Sequence, residues 1–353
     1  MKILIVPDSF KGSLTSREVC ECIYDSLKEA DSTLETTALP FSDGGEGFSD
    51  CMLEICKGNK LYTDCHNIYN RPIKGSIVTF GDTAVIECAT ASGIQPKNRV
   101  MQASSYGTGE LIRFAVSQGF RRIILGLGGS GCCDGGAGAL SALGASFYDE
   151  NYKKISFPKG IDLNCIFGAG FGNIVKDISF TFACDVENTL FGKNGAAYIF
   201  APQKGARQSD VEELDEGLKR LNAFLPRDVS TLKGGGAAGG ICAGLYSVYE
   251  GEIKSGFDVL SDYAGLRDKI AECDIVITGE GKTDSQTLMG KLPFRIASLA
   301  KEYKKKCIVI SGCIDGVSLG DKMISLTDSE HDSDYAIAHA KELLKLKSKY
   351  ILK

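Results

Sequence analysis

Residues 1–30 read MKILIVPDSFKGSLTSREVCECIYDSLKEA and indicate the fold class. The β-branched run at residues 2–6 predicts a short buried strand. Apolar residues then recur with the spacing of an amphipathic helix, at Leu14, Val19, Ile23 and Leu27. Thr15 or Ser16 can cap this helix, and Glu18 falls in its first turn. A strand that leads through a loop into a helix is the repeating unit of α/β proteins.

The same unit recurs along the chain. Further β-branched runs predict buried strands at residues 36–39, 122–127, 179–184, 274–278 and 307–311. Most of them lead through Gly, Ser or Asp into a helical pattern, which predicts α/β layers with mostly parallel sheets. Residues 61–89 differ, because their alternation and their turns predict antiparallel strands. The pattern changes near residues 65 and 255, where we expect domain junctions.

The composition excludes several classes of protein. The 353 residues are 43% hydrophobic and 24% charged, which is typical of a globular protein and not of a disordered or fibrous one. A net charge of −5 argues against nucleic acid as a partner. No signal peptide is recognisable and no apolar run approaches about 18 residues, so we expect a cytoplasmic protein with no membrane partner. The fourteen cysteines include no C-x-x-C pair, and we expect them to be buried and reduced.

Glycine is the outlier in the composition. It occupies 42 positions, whereas an average protein of this length has roughly 25. Six glycine-rich segments stand out, at residues 42–47, 106–110, 126–138, 203–205, 234–240 and 279–281. Glycines allow backbone N–H groups to close around an anion, so we expect at least two of these segments to bind a phosphate or carboxylate.

Two of these segments resemble nucleotide-binding motifs. Residues 126–131 read GLGGSG and fit the G-x-G-x-x-G motif of NAD-binding proteins, with Asp149 and Glu150 near the distance expected for the ribose-binding acid. No strand is predicted to end at these acids, which weakens that interpretation. Residues 279–283 read GEGKT, but Val276 stands where a P-loop requires its first glycine.

Acidic residues follow several of the predicted strands, near the edge where open α/β sheets bind ligands. They are Asp8, Asp43, Asp185 and Glu280. Convergence on a Mg²⁺-nucleotide site would explain this pattern, because Mg²⁺ binds one or two carboxylates together with phosphate oxygens and waters. Phosphoryl transfer also requires cations, and five lie in or beside the glycine-rich segments: Lys11, Arg71, Lys204, Lys282 and Lys291.

A series of motifs runs in order from residue 1 to about residue 315. It comprises PDSFKGS (7–13), FSDGGEG (41–47), TAVIE (83–87), SYGTGELI (105–112), GGS (128–130), DGGAG (134–138), ACDVEN (183–188), PQKGA (202–206), GAAGG (236–240), ITGEG (277–281), DSQ (284–286) and GK (290–291). In this order the motifs resemble those of the type-1 family of bacterial glycerate kinases. Three positions depart from the family pattern: GCC at 131–133, KG at 233–234 and KT at 282–283.

The resemblance implies ATP- and Mg²⁺-dependent transfer of phosphate to an alcohol group of D-glycerate, which gives 2-phospho-D-glycerate. It also implies a Rossmann-like domain, residues 1–65 with 256–353, into which a second α/β domain, residues 66–255, is inserted. The active site would lie in the cleft between them, and a homo-oligomer is compatible with the sequence. Three alternatives stay open: a kinase that gives 3-phosphoglycerate, a NAD-dependent hydroxy-acid oxidoreductase, and a non-catalytic sensor of sugar acids.

Individual roles follow as hypotheses. Asp185 is expected to be the general base or a Mg²⁺ ligand, because it ends an apolar strand and Asn188 follows closely. Asp8 and Lys11 are the other expected catalytic residues, and Asp134 is the other expected metal ligand. We expect glycerate to contact Ser9, Asp43, Gly44, Arg71, Ser105 and Asn188. We expect the nucleotide to contact Gly128, Gly129, Ser130, Gly236, Gly239, Gly240, Glu280 and Lys291.

Overall fold

The computed structural model describes residues 1–42, 44–45 and 47–352. Contacts divide the chain into two compact units. The first unit consists of Met1–Asp43, Asp50–Lys57 and Phe257–Lys353, and the second of Gly44–Ser49 and Gly58–Gly256. Each unit contains a sheet and helices, as the alternation of strand and helix patterns predicts.

The regular elements of the described residues are the following, in chain order. The strands are β1 (Lys2–Ile5), β2 (Glu35–Ala38), β3 (Asn59–His66), β4 (Pro72–Phe80), β5 (Thr83–Glu87), β6 (Arg122–Gly126), β7 (Ser146–Tyr148), β8 (Gly168–Gly170), β9 (Ser179–Ala183), β10 (Glu250–Lys254), β11 (Ile275–Thr283), β12 (Lys306–Ile314) and β13 (Lys322–Ser325). The helices are α1 (Ser16–Ala30), α2 (Phe48–Ile55), α3 (Cys88–Ser92), α4 (Tyr106–Ser117), α5 (Ala137–Ala142), α6 (Ala196–Phe200), α7 (Gln208–Asn222), α8 (Ile241–Val248), α9 (Gly256–Ala264), α10 (Leu266–Glu272), α11 (Leu292–Glu302), α12 (Ser333–Ala338) and α13 (Ala340–Ser348). Short 3₁₀ turns include Pro202–Lys204, Ala237–Gly240 and Thr287–Met289.

The first unit is built on a five-stranded sheet in the order β13-β12-β11-β1-β2. All neighbouring strands are parallel, and Ile3 of β1 lies beside Ile275 of β11. The chain moves from β1 to β2 in one direction and from β11 to β12 and β13 in the other. In open α/β sheets, the crevice at the carboxyl ends of the strands beside such a reversal is where ligands bind. The β1–β11 pair therefore marks the expected ligand-binding edge of this unit.

The predicted N-terminal strand and helix are both confirmed. Thr15 is the N-cap of α1: its hydroxyl accepts the backbone N–H of Glu18, whose carboxylate in turn accepts the backbone N–H of Thr15. Such a reciprocal capping box pairs two N–H groups that the helix itself leaves unbonded. Val19, Ile23 and Leu27 are buried, so the apolar face of α1 packs into the core of the first unit.

The second unit is built on a six-stranded mixed sheet in the order β10-β9-β6-β5-β4-β3. The strands β3, β4 and β5 are antiparallel, and β5, β6, β9 and β10 are parallel. The antiparallel strands predicted within residues 61–89 are thus confirmed. The expected domain boundary near residue 65 falls inside β3, which pairs with β4 along its whole length. The two-domain assignment by residue number stays a prediction.

Two of the six glycine-rich segments are not loops. Residues 106–110 form the first turn of α4, and residues 279–281 lie inside β11, which continues to Thr283. A Cβ atom at Gly279 would overlap the carbonyl oxygen of Ile310 on β12. Glycine at this position therefore allows two strands to approach closely, and the predicted end of the strand at residue 278 is wrong for this reason.

The structure also bears on the predictions for the cysteines and for membrane-spanning segments. Among the residues that the structure describes, none of the fourteen cysteines forms a disulfide bond, and eleven are buried. No helix of the described chain is long and apolar enough to cross a membrane.

Candidate functional site

A cavity of about 280 Å³ lies at the carboxyl ends of β1, β11 and β12 in the first unit. Its position is the one that the strand order predicts for a ligand. Five charged residues line it: Asp8, Lys11, Glu280, Lys282 and Lys291. All five were singled out from the sequence, although it gave no reason to place them around one cavity. The edge of the sheet brings them together.

Asp8 is held by the backbone directly after β1. Its N–H donates to the carbonyl oxygen of Gly279 at 2.8 Å, and the N–H of Val6 donates to that of Ile277 at 2.8 Å, so the bonding between the two strands continues beyond the end of β1. Its carboxylate accepts the backbone N–H of Ser9 at 2.7 Å. Asp8 is buried and Ser9 half-buried, and both line the cavity. The loop after β1 thus holds a carboxylate at the β1–β11 pair, where the strand order of the sheet reverses.

Glu280 is the second carboxylate of the cavity, and hydroxyl groups hold it in place. Its Oε1 accepts the hydroxyls of Thr287 at 2.6 Å and Thr283 at 3.2 Å, and Thr283 also bonds Ser311 at 2.7 Å. The Nζ of Lys291 lies 3.8 Å from Oε2. Burial raises the pKa of Glu280, while the Thr287 hydroxyl and the Lys291 ammonium oppose that rise. The sequence predicted neither threonine, because each acts only through its contact with Glu280.

The three lysines of the cavity differ in how they are held. Lys282 pairs with Asp315 at 3.0 Å and lies 3.8 Å from Asp284, and the Asp315 contact raises the pKa of Lys282. Lys291 is the residue before α11 and is half-buried. Lys11 is exposed. Ammonium groups that line a cavity can bind the oxygens of an anionic ligand.

In the second unit, the loop after β6 is held from within by a lysine. Lys204 is 4% exposed, and its Nζ donates to the hydroxyl of Ser130 at 2.9 Å and the carbonyl oxygen of Cys132 at 2.8 Å. Gly128 is half-buried and Gly129 is exposed, so the tip of this loop stays open. Lys204 was noted in the sequence only as a cation beside a glycine, and no local signal indicated that it is buried.

Asp134 and Ser105 are bonded to each other inside the second unit. The Asp134 carboxylate accepts the N–H and the hydroxyl of Ser105, at 2.7 and 2.8 Å, and the N–H groups of Gly136 and Gly138, both at 3.2 Å. Both residues are fully buried, and burial raises the pKa of Asp134. The expected metal role of Asp134 and the expected glycerate contact of Ser105 have no support here, because internal hydrogen bonds use these groups.

The glycines at 236–240 pack against the loop after β6. The N–H of Gly135 donates to the carbonyl oxygen of Gly239 at 3.0 Å, and the N–H of Gly236 donates to that of Asn188 at 2.8 Å. A Cβ atom at Gly240 would lie 2.7 Å from the Cα of Gly135. Gly236, Gly239 and Gly240 are buried. Their expected role in nucleotide binding has no support, since close packing of two backbone segments already accounts for them.

Asp185 and Gly44, both predicted site residues, lie together in the second unit. Asp185 is exposed and follows β9, and its carboxylate accepts the N–H of Gly256 at 3.2 Å. A Cβ atom at Gly44 would overlap the Asp185 carboxylate. Glycine at position 44 therefore lets the backbone approach this acid. Asn188 donates from its side-chain amide to the carbonyl oxygen of Asn194 at 2.9 Å, which braces the following loop.

Two predicted glycerate contacts remain without geometric support. Arg71 is exposed in the turn between β3 and β4, where its N–H donates to the Asn67 side chain at 3.1 Å. Asp43 lies outside the described residues.

The two cysteines that depart from the family pattern are fully buried. The thiol of Cys132 faces the carbonyl oxygen of Ala238 at 3.9 Å. Burial raises the pKa of Cys133 to about 12 and also raises the pKa of Cys132 well above its ordinary value. Both thiols are therefore neutral at ordinary pH and act as packing groups.

The G-x-G-x-x-G motif at residues 126–131 does not have the structure that NAD binding requires. In NAD-binding proteins the motif opens a helix whose N-terminus faces the pyrophosphate. Here β6 ends at Gly126, and the next helix, α5, begins only at Ala137. The motif therefore lacks the helix that would face the pyrophosphate.

We also tested whether the residues fit a metal ion. Within the described ranges, no group of three or more His, Cys, Asp and Glu side chains is arranged to hold one. Mg²⁺ in kinases needs only one or two carboxylates, because the substrate phosphates complete its shell. An exposed carboxylate such as that of Asp185 fits this requirement, and the buried Asp134 does not.

Comparison with known proteins identifies a family. The model of the glycerate kinase family matches residues 3–353. The chain is 39% identical to glycerate 2-kinase of Escherichia coli over 89% of this chain and 86% of the relative. It is 36% identical to glycerate kinase of Bacillus cereus over 99% and 97% of the two chains. The solved structure of a glycerate kinase 2 from Salmonella typhimurium superposes with a TM-score of 0.88 at 36% identity, over 99% and 97% of the chains, which confirms the predicted fold class.

Proposed function

The chain belongs to the glycerate kinase family, and we propose that it transfers the terminal phosphate of ATP to the 2-hydroxyl of D-glycerate. The observation that carries this proposal is the cavity of the first unit. There Asp8 and Glu280 lie with three lysines at the edge of a parallel sheet where the strand order reverses. Phosphoryl transfer spreads negative charge over the phosphate oxygens, and ammonium groups stabilise that charge.

The choice of the 2-hydroxyl rests on a relative. The Escherichia coli protein that is 39% identical to this chain carries the name glycerate 2-kinase. The motifs shared with the family run through both units of the chain, so the resemblance is not confined to one segment. Transfer to the 3-hydroxyl would give 3-phosphoglycerate, and an experiment must distinguish this product from 2-phosphoglycerate.

Asp185 is the proposed general base or Mg²⁺ ligand. Asp185 is exposed, its carboxylate accepts the N–H of Gly256, and the main chain at Gly44 lies close to it. A carboxylate in hydrogen-bond reach of the acceptor hydroxyl can take its proton as the phosphate is transferred. When bound, Mg²⁺ would neutralise part of the phosphate charge. Asp8 and Lys11 are proposed to act in the cavity of the first unit.

The decisive experiment measures ADP release from ATP with a panel of small hydroxy acids. We expect release that depends on D-glycerate and on Mg²⁺. The product should be consumed directly by enolase, which accepts 2-phosphoglycerate. A product that enolase consumes only after addition of phosphoglycerate mutase would show transfer to the 3-hydroxyl. No release with any acid of the panel would overturn the kinase proposal.

A further inference from the structure

The cavity of the first unit has two chemically different walls. One carries the ammonium groups of Lys11, Lys282 and Lys291 together with the carboxylates of Asp8 and Glu280, so cations outnumber anions there. The other is mainly apolar and is formed by α12, by the start of α13 and by the residues after β13: Leu326, Ala336, Ile337 and Ala340, with the hydroxyl residues Thr327 and Ser333. A ligand that fills this cavity must therefore offer anionic groups at one end and an apolar face at the other.

D-glycerate does not match these two walls. It has a carboxylate and two hydroxyls on three carbons, so every part of it is polar and would gain nothing from apolar surface. The cavity volume, about 280 Å³, is close to the lower limit of roughly 300 Å³ for pockets that take larger organic ligands. A nucleotide offers both features, because its base presents flat apolar faces and its phosphates carry the charge.

We infer that this cavity is the nucleotide site, with the base against the α12 wall and the phosphates toward the lysines. This inference rests on the proposed kinase function and assigns its phosphate donor to the first unit. Lys291 is placed for the role: its Nζ is 3.8 Å from Glu280, beyond hydrogen-bond reach, while Glu280 is already bonded by Thr283 and Thr287. The ammonium group can therefore turn to a phosphate without leaving the carboxylate unbonded.

The second unit contains an alternative candidate for the nucleotide site, and its structure argues against that candidate. The glycines at 236–240 were expected to bind the nucleotide, but they are buried and packed against the loop after β6. Their backbone cannot surround phosphates in this arrangement. The exposed tip at Gly129 alone offers no wall for a base.

Ile337 provides the test, because it lines the cavity and is 50% exposed, so its substitution is not expected to disturb folding. The probes are ADP, pyrophosphate and D-glycerate, each titrated by calorimetry into the full-length protein. In Ile337→Glu, loss of apolar contact with the base should weaken ADP binding by roughly tenfold. The uncharged variant Ile337→Gln should also weaken ADP binding. Ala338→Glu is the matched control, since the neighbouring Ala338 is exposed and does not line the cavity.

The outcomes separate this inference from the proposed function. We expect Ile337→Gln to bind pyrophosphate and D-glycerate as the unsubstituted protein does, because neither ligand has a base. Unchanged ADP affinity in both Ile337 variants, absence of ADP binding to the unsubstituted protein, or a selective loss of D-glycerate affinity would each overturn the inference. If D-glycerate still drives ADP release in that case, the kinase proposal stands. If ADP binding depends on Ile337 but no acid drives ADP release, the nucleotide site stands and the kinase proposal fails.

Discussion

The ammonium group of Lys204 lies 2.9 Å from the hydroxyl of Ser130 inside the second unit. It also donates to the carbonyl oxygen of Cys132 at 2.8 Å. Asn98 completes this arrangement, because its amide donates to the carbonyl oxygens of Gly131 and Lys204, each at 2.8 Å. Within the described chain Lys204 forms no ion pair. A buried charge held only by neutral oxygens is costly, so these bonds must offset much of the desolvation.

We therefore expect Lys204→Met to destabilise the protein. Methionine keeps most of the volume, but it leaves the Ser130 hydroxyl and the Cys132 carbonyl without their donor. Loss of these bonds destabilises the fold, whereas removal of a buried charge stabilises it. The net effect should lower the free energy of unfolding by about 1–3 kcal/mol. Urea unfolding measures the change, and Lys193→Met is the control, because Lys193 is exposed on the same unit. Equal or higher stability of Lys204→Met would show that the charge costs more than its bonds contribute.

Asp134→Asn should also destabilise the protein, and by an amount that depends on pH. The amide NH₂ of asparagine would face N–H donors of Ser105, Gly136 and Gly138, which the carboxylate now accepts. Burial raises the pKa of Asp134, so the folded protein binds this proton more tightly than the unfolded chain does. Stability of the unsubstituted protein therefore falls as pH rises from about 3.9, the ordinary carboxyl pKa, through the raised pKa of the folded state.

The stability gap between the unsubstituted protein and Asp134→Asn should consequently be largest at low pH and narrow as pH rises. Urea unfolding at a series of pH values measures it, with Asp177→Asn, exposed on the same unit, as the control. A gap that widens with rising pH would mean that the fold favours the ionised carboxylate, contrary to this assignment.

Local sequence patterns predicted the strands well and the roles of the glycines poorly. The β-branched runs at 122–127 and 179–184 correspond to β6 and β9, because alternation and apolar content are properties of the segment itself. What a glycine does depends on the backbone beside it, which comes from elsewhere in the chain. Gly279 was expected to follow a strand that ends at residue 278, but it lies within β11, where the carbonyl of Ile310 packs against it.

The candidate site shows the same limit. The position of acids after predicted strands identified Asp8 and Glu280, because parallel strands end at one edge of a sheet, although Glu280 lies within β11 and not after it. The apolar wall at Ile337 was not predicted, since its residues belong to a helix near the end of the sequence that carries no motif. Lys204 acts on Ser130, 74 residues away, which no spacing rule indicates.

Gly239→Ala should be among the most damaging single substitutions in the second unit. Gly239 has a φ of +70°, and a Cβ atom there would overlap the carbonyl oxygen of Cys132 and lie 2.7 Å from the Cα of Cys133. Backbone strain and overpacking together should lower the free energy of unfolding by at least about 2 kcal/mol. Gly172→Ala is the control, because a Cβ atom at Gly172 meets nothing within 4 Å. Thermal unfolding of both variants measures the difference, and comparable stability would contradict the packing role.

Asp185→Asn should abolish most turnover and leave the fold intact. The side chain is exposed, and an amide oxygen can still accept the N–H of Gly256, so the melting temperature should stay unchanged. Loss of a base or metal ligand should lower kcat by at least about 100-fold. Glu187→Gln is the matched control, because Glu187 is exposed two residues further on and its ion pair among the described residues is with Lys233 at the surface. Steady-state ADP release with D-glycerate measures both variants. A near-normal kcat in Asp185→Asn would show that this residue takes no part in the reaction. A similar loss of kcat in Glu187→Gln would show that the effect comes from surface charge.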